Sequence, residues 1–142
     1  MPFDGTVGLH QPKFAWVTAF NQKFATISRL NSPEARARQR VALAMDAVVV
    51  LESVAEMLDG GERWTKGNYR LGRKRCLVGA LRDIRCTRKA RDAAGDYLRE
   101  VIAELVGKKI SIIEFNDSRH DFADITVAID GARHRALCEV DG

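Results

Sequence analysis

Asn31-Ser32-Pro33-Glu34 opens a run, PEARARQRVALAMDAVVVLESVAEML, that reaches Leu58 and stops at Asp59-Gly60-Gly61. Ser32 is placed to accept from the orphan backbone N–H groups of a first helical turn, Pro33 suits that turn, and Glu34 complements the helix dipole. Apolar residues then fall on two adjoining stripes, Val41, Met45, Val48, Leu51, Ala55, Leu58 and Leu43, Ala47, Val50, Val54, Met57. Only a narrow polar strip through Asp46, Ser53 and Glu56 remains, so the expectation is a core helix over 33–58, surrounded by others and closed by Gly60-Gly61 in a left-handed cap.

Working outward from that helix, Phe14, Val17, Phe20, Phe24 and Ile27 recur at three and four and favour an amphipathic helix, although Phe14, Trp16 and Phe20 also share one face of a strand. Residues 1–13, with Gly5, Gly8 and Pro12, read as an extended or flexible arm. On the other side, Leu77, Leu81 and Ile84 define a short helix opened by Cys76. That helix contains Gly79, which costs about 1 kcal/mol against Ala unless close packing requires it. Thr87 is a cap for a further helix with Ala90, Ala94, Tyr97, Leu98, Val101, Ile102 and Leu105 in period, ended by Gly107. Ile110 to Phe115 is a short β-branched run that reads as one strand or a buried extended segment, with Asn116-Asp117-Ser118 as a turn. Asp121 and Asp124 pair as a cap for a last helix carrying Phe122, Ile125, Ile129, Ala132 and Ala136. The predicted fold is mainly α: a compact bundle of about five helices around 33–58, in a single domain over 1–142.

At 142 residues, 46% hydrophobic and 30% charged, the chain has the composition of an ordinary globular domain. No apolar run approaches the roughly 18 residues of a membrane span, and Met1-Pro2-Phe3-Asp4-Gly5 lacks a secretory signal's basic start, so no membrane partner and a cytoplasmic location are expected. Cys76, Cys86 and Cys138 form no C-x-x-C pair, and the three histidines show no i, i+4 spacing among themselves; no metal or other cofactor is predicted.

Charge is unevenly spread. The net charge is +4, yet Glu62 to Asp92 holds eleven Lys or Arg against three Asp or Glu, leaving the rest of the chain net acidic. The connector Trp64 to Leu81 lies in this segment. Its string Gly67-Asn68-Tyr69-Arg70-Leu71-Gly72-Arg73-Lys74 superficially echoes a phosphate-binding loop, but Arg73 stands in the lysine place, Lys74 in that of the magnesium-binding hydroxyl, and a helix precedes it instead of a strand. Aromatic residues among cations, with Lys66, Tyr69, Arg70, Arg73, Lys74, Arg75 and Arg82 as the candidate set, suit phosphate contacts and base stacking. Arg85, Arg88, Lys89 and Arg91 extend that patch. Against this stands a solvated cationic face around a Trp64 packed in the core. Cys76 has basic neighbours that favour a thiolate, with His120 or His134 as partners, but a small buried thiol opening an apolar helix explains it as well. Asn116, Asp117, His120, Asp121 and Asp124 can be drawn as an acid–base site, whereas capping and turn duties account for the same residue types.

Trp64-Thr65-Lys66-Gly67, then Cys76-Leu77-Val78-Gly79-Ala80-Leu81, then Phe115-Asn116-Asp117 before an apolar helix, resembles a family of small bacterial and phage proteins known only as a domain of unknown function. The resemblance spans about 40–136; residues 1–39 fall outside it, and Phe115 stands where Trp is frequent. It implies an all-helical unit, a close helix contact at Gly79 and Ala80, and a turn anchored by Asn116 and Asp117, and it brings no reaction. The leading expectation is a non-enzymatic binding or regulatory module acting through protein contacts or self-association. Second is a nucleic-acid-binding accessory protein using 63–91; last is an enzyme centred on Cys76 or the 116–120 turn.

Overall fold

The computed structural model describes residues 32–119 and 121–142. The predicted arm 1–13, the predicted helix 14–27 and His120 lie outside these residues. By internal contacts the chain divides into residues 1–39 and 40–142. Among the described residues, the core cluster, the connector and every helix but the first turns of the long one belong to the second unit.

Five helices occur among the described residues: α1 (Pro33–Leu58), α2 (Leu77–Asp83), α3 (Arg88–Val106), α4 (Ile112–Ser118) and α5 (Phe122–Asp141). A 3-10 turn (Asp59–Gly61) follows α1, and the two-residue strands β1 (Arg70–Leu71) and β2 (Lys74–Arg75) precede α2. The mainly helical class predicted from the sequence is the one observed.

Each start signal acts through a side chain. The Ser32 hydroxyl accepts from Ala35 N at 3.1 Å, the Cys76 thiol from Gly79 N at 3.3 Å, and Thr87 Oγ1 from Ala90 N at 3.1 Å. Asp121 Oδ1 accepts from Ala123 N at 3.0 Å. Such caps satisfy donors that have no intrahelical acceptor. α1 ends in three consecutive positive φ values, at Asp59, Gly60 and Gly61, and α3 ends at Gly107 in the left-handed region.

The core of the second unit gathers Leu51, Val54 and Leu58 of α1, Leu77, Ala80 and Leu81 of α2, Leu98 and Ile102 of α3, Ile112 and Phe115 of α4, and Ile125, Ile129 and Ala132 of α5. Small residues let α3 and α5 approach closely: Ala94, Ala128, Ala132 and Ala136 are fully buried, and a Cβ on Gly131 would lie 2.9 Å from Val101 Cγ1. On the flank of this pair Arg135 bonds Glu100 at 3.1 Å and also Glu104.

Two expectations need correction. Both apolar stripes of α1 reach the core, through Leu51 and Leu58 of one and Ala47, Val50 and Val54 of the other, but among the described residues α1 is not enclosed along its whole length: Met45 is 43% exposed, and Val49, which lies in neither stripe, is 60% exposed. Isolated apolar residues at a surface are ordinary, and the sequence does not tell them from core positions. The run at 110–115 forms no strand: Ser111 is extended as a helix cap, its Oγ accepts from Glu114 N at 3.0 Å, and from Ile112 on the chain forms a helix. Ile112 and Phe115, three apart, then share its buried face, and packing overrides β propensity. Asn116 and Asp117 consequently sit in the last turn of α4.

Candidate functional site

The connector leaves α1, folds back on itself and enters α2. Arg75 N donates to Arg63 O at 2.8 Å and Thr65 N to Arg75 O at 3.0 Å, so residues 63–65 run beside β2. β1 and β2 pair antiparallel, Arg70 opposite Arg75 and Leu71 opposite Lys74, leaving Gly72-Arg73 as a two-residue turn. Gly72 carries φ +63, and the first central position of a type II′ hairpin turn calls for such a residue.

One buried polar side chain holds this excursion to the core. Asn116 is fully buried, and its Oδ1 accepts from Trp64 Nε1 at 2.8 Å and from Leu77 N at 3.0 Å. Its Nδ2 donates to Thr65 O and to Asp117 Oδ1, both at 3.1 Å. All four of its hydrogen-bonding positions are filled, which makes its burial tolerable. Asp117 Oδ1 also accepts from Gly67 N at 2.9 Å, and Lys66 Nζ donates to Arg119 O at 2.8 Å. The Trp64 ring packs on Phe122 at 5.6 Å between centroids.

Gly79 and Ala80 are buried, and the close contact expected at Gly79 exists but is made with the connector backbone: a Cβ there would lie 1.9 Å from Tyr69 O. That same carbonyl accepts from Cys76 N. Trp64, Gly67, Cys76, Leu77, Gly79, Phe115, Asn116 and Asp117 thus meet around one junction, while Ala80 and Leu81 continue it into the core.

The candidate cations divide into two groups. Arg75 is committed internally, bonded to Asp83 at 2.5 Å and to Arg73 O at 3.0 Å. Lys66 is held by Arg119 O, and Arg91 binds the carbonyls of Leu81 and Ile84 at 2.9 and 2.8 Å, closing the C-terminus of α2. Arg70, Arg73 and Lys74 are exposed and, among the described residues, make no ion pair. Arg82 lies over the Tyr69 ring at 4.5 Å, and Tyr69 is 45% exposed. Alternation along the ribbon puts Tyr69, Leu71 and Lys74 on one face. A cleft of about 280 Å³ is lined by Gly67, Asn68, Tyr69, Cys76, Ile113 and Asp117.

Cys76 is buried, with its sulfur engaged as a helix cap, which denies it the access a nucleophile needs. His134 does not approach it; its Nε2 lies 3.6 Å from Cys138 Sγ on the exposed side of α5. Sequence reasoning misses the pairing of His134 with Cys138, although their i, i+4 spacing is legible there. It also misses Arg91 as a helix-closing residue, since nothing local distinguishes it from Arg88 or Lys89. Among the described residues no group of three or more His, Cys, Asp or Glu gathers, and no helix is long and apolar enough to cross a membrane.

No curated protein and no solved structure matches the chain. Residues 42–135 match a family of unknown function, DUF6197, a span that begins inside α1, takes in the whole junction around Asn116 and ends within α5. The chain therefore belongs to DUF6197, a family of unknown function.

Proposed function

We propose that the chain is a cytoplasmic, non-enzymatic binding module whose contact element is the Tyr69–Arg75 hairpin and whose partner is an acidic protein surface. The observation that carries this reading is the division of the cations. Arg75, Lys66 and Arg91 are consumed by internal bonds, whereas Arg70, Arg73 and Lys74 stand exposed, without an ion pair among the described residues, on an element pinned at its base. Fixing the hairpin in advance lowers the ordering cost of binding. Cys76 and Asn116, which an enzyme would have to free, are already occupied by structural bonds.

Tyr69 favours a second reading, single-stranded nucleic acid. Arg82 covers one side of its ring and holds it still, leaving exposed aromatic surface on which a base can stack, with Arg73 and Lys74 at hand for phosphates. A labelled polyglutamate peptide and a labelled single-stranded oligonucleotide, each titrated into the full chain at rising salt, distinguish the two. Three phosphate contacts to a single strand give a slope of about −2 in log affinity against log salt. Tighter binding of the peptide supports the protein reading, tighter binding of the oligonucleotide the second, and salt-independent or absent binding of both rejects the module.

A further inference from the structure

We propose that His134 and Cys138 form half of a zinc-type divalent metal site, completed by the same two side chains of a second copy of this chain. The two residues are one helical turn apart on α5, so both project from one face. Their donor atoms, Nε2 and Sγ, are 3.6 Å apart. Tetrahedral zinc with bonds of about 2.3 Å to sulfur and 2.0–2.1 Å to nitrogen spaces those donors about 3.5 Å apart. The pair is thus set at the separation a chelated ion requires.

The surroundings point the same way. Cys138 and His134 are exposed, and Arg135, the basic residue between them, is turned aside and neutralised by Glu100 and Glu104. Glu139 is paired with Arg40; Asp130, four residues before His134, and Asp141, three after Cys138, are exposed on the same helix, as is Arg133 beside His134. The two carboxylates favour a cation and outnumber that one guanidinium. No third His, Cys, Asp or Glu joins the two among the described residues, so one copy supplies two ligands of the four that a closed zinc site needs. A two-fold axis through the ion brings the identical pair from a second copy, and two-fold isologous dimers are the commonest homo-oligomers. Binding breaks each Cys138 S–H bond and forms a sulfur–metal bond, releasing one proton per chain to solvent. His134 contributes the Nε2 lone pair with its proton on Nδ1, and the two thiolates balance the charge of the ion.

The test uses the full chain with a phosphine reductant present, so that a disulfide cannot imitate the metal. Mass from light scattering should double when zinc is added, saturating at one ion per two chains, and return to the single-chain value with chelator. Cobalt substituted for zinc should give a thiolate charge-transfer absorption. Cys138→Ser and His134→Ala should each abolish both signals while leaving the urea midpoint unchanged, since both side chains are exposed. Zinc bound at one per chain without a mass change overturns the proposal. So does a zinc-dependent dimer that persists in both variants, or no binding at all.

Discussion

Trp64 donates its indole N–H to the side-chain oxygen of Asn116 at 2.8 Å, closing a contact across 52 positions of sequence. The bond joins the exit of α1 to the last turn of α4, and Asn116 extends it to the entrance of α2 through Leu77 N. Three element ends are therefore tied by one amide, and everything between Thr65 and Arg75 is held outside the core at a fixed base.

Asn116→Asp keeps the size and removes both donors, so that a carboxylate faces Thr65 O and Asp117 Oδ1. A buried group left with repelling neighbours costs about 3 kcal/mol. Urea denaturation should show that loss, whereas Trp64→Phe, which forfeits one hydrogen bond but keeps the packing on Phe122, should cost about 1–2 kcal/mol. Equal midpoints for wild type and Asn116→Asp would remove the junction's energetic role.

Gly79→Ala places a methyl group where Tyr69 O now sits, 1.9 Å from the new carbon. Helix α2 or the hairpin has to move, at a cost of about 2 kcal/mol. Limited trypsin digestion should then cut at Arg70, Arg73 and Lys74 faster than in the parent protein. An unchanged cutting rate would show that the hairpin is loose to begin with.

Asp83→Asn releases Arg75 from a partly exposed pair, which should lower stability by about 0.5–1 kcal/mol. It also adds one net positive charge beside the hairpin. Later elution from a heparin column, measured against the parent, is the expected result.

Tyr97 has its hydroxyl pKa raised, first by burial and then by the carboxylates of Glu139 and Glu100. Ionising it costs the folded state more than the unfolded one. Its contribution to stability is complete below the ordinary tyrosine pKa of about 10 and is lost as pH climbs through the higher folded value. Melting temperature should fall across that alkaline range, and Tyr97→Phe should flatten the fall. The same slope in both proteins would assign it to other groups.

Much of this architecture is legible in the sequence. Ser32, Cys76, Thr87, Gly107 and Asp121 act at the helix ends where their residue types place them, because capping is a local interaction. The run at 110–115 misleads, since Ile110, Ile112 and Ile113 outweigh the Ser111-x-x-Glu114 signature that starts α4. Asn116 can be singled out but not explained: its four bonds reach Trp64, Thr65, Leu77 and Asp117, three of them remote in sequence. For the same reason the committed Arg75 cannot be separated from the exposed Arg73, as Asp83 enters only when α2 turns back beside the hairpin.

The most direct test of the division between scaffold and contact element is one comparison on the Arg70→Glu/Arg73→Glu/Lys74→Glu protein, in which urea midpoint and heparin retention are read on the same preparation. The account predicts a midpoint within about 0.5 kcal/mol of the parent, as for surface changes away from packed features, together with loss of retention. Retention that survives the reversal of all three charges would contradict it.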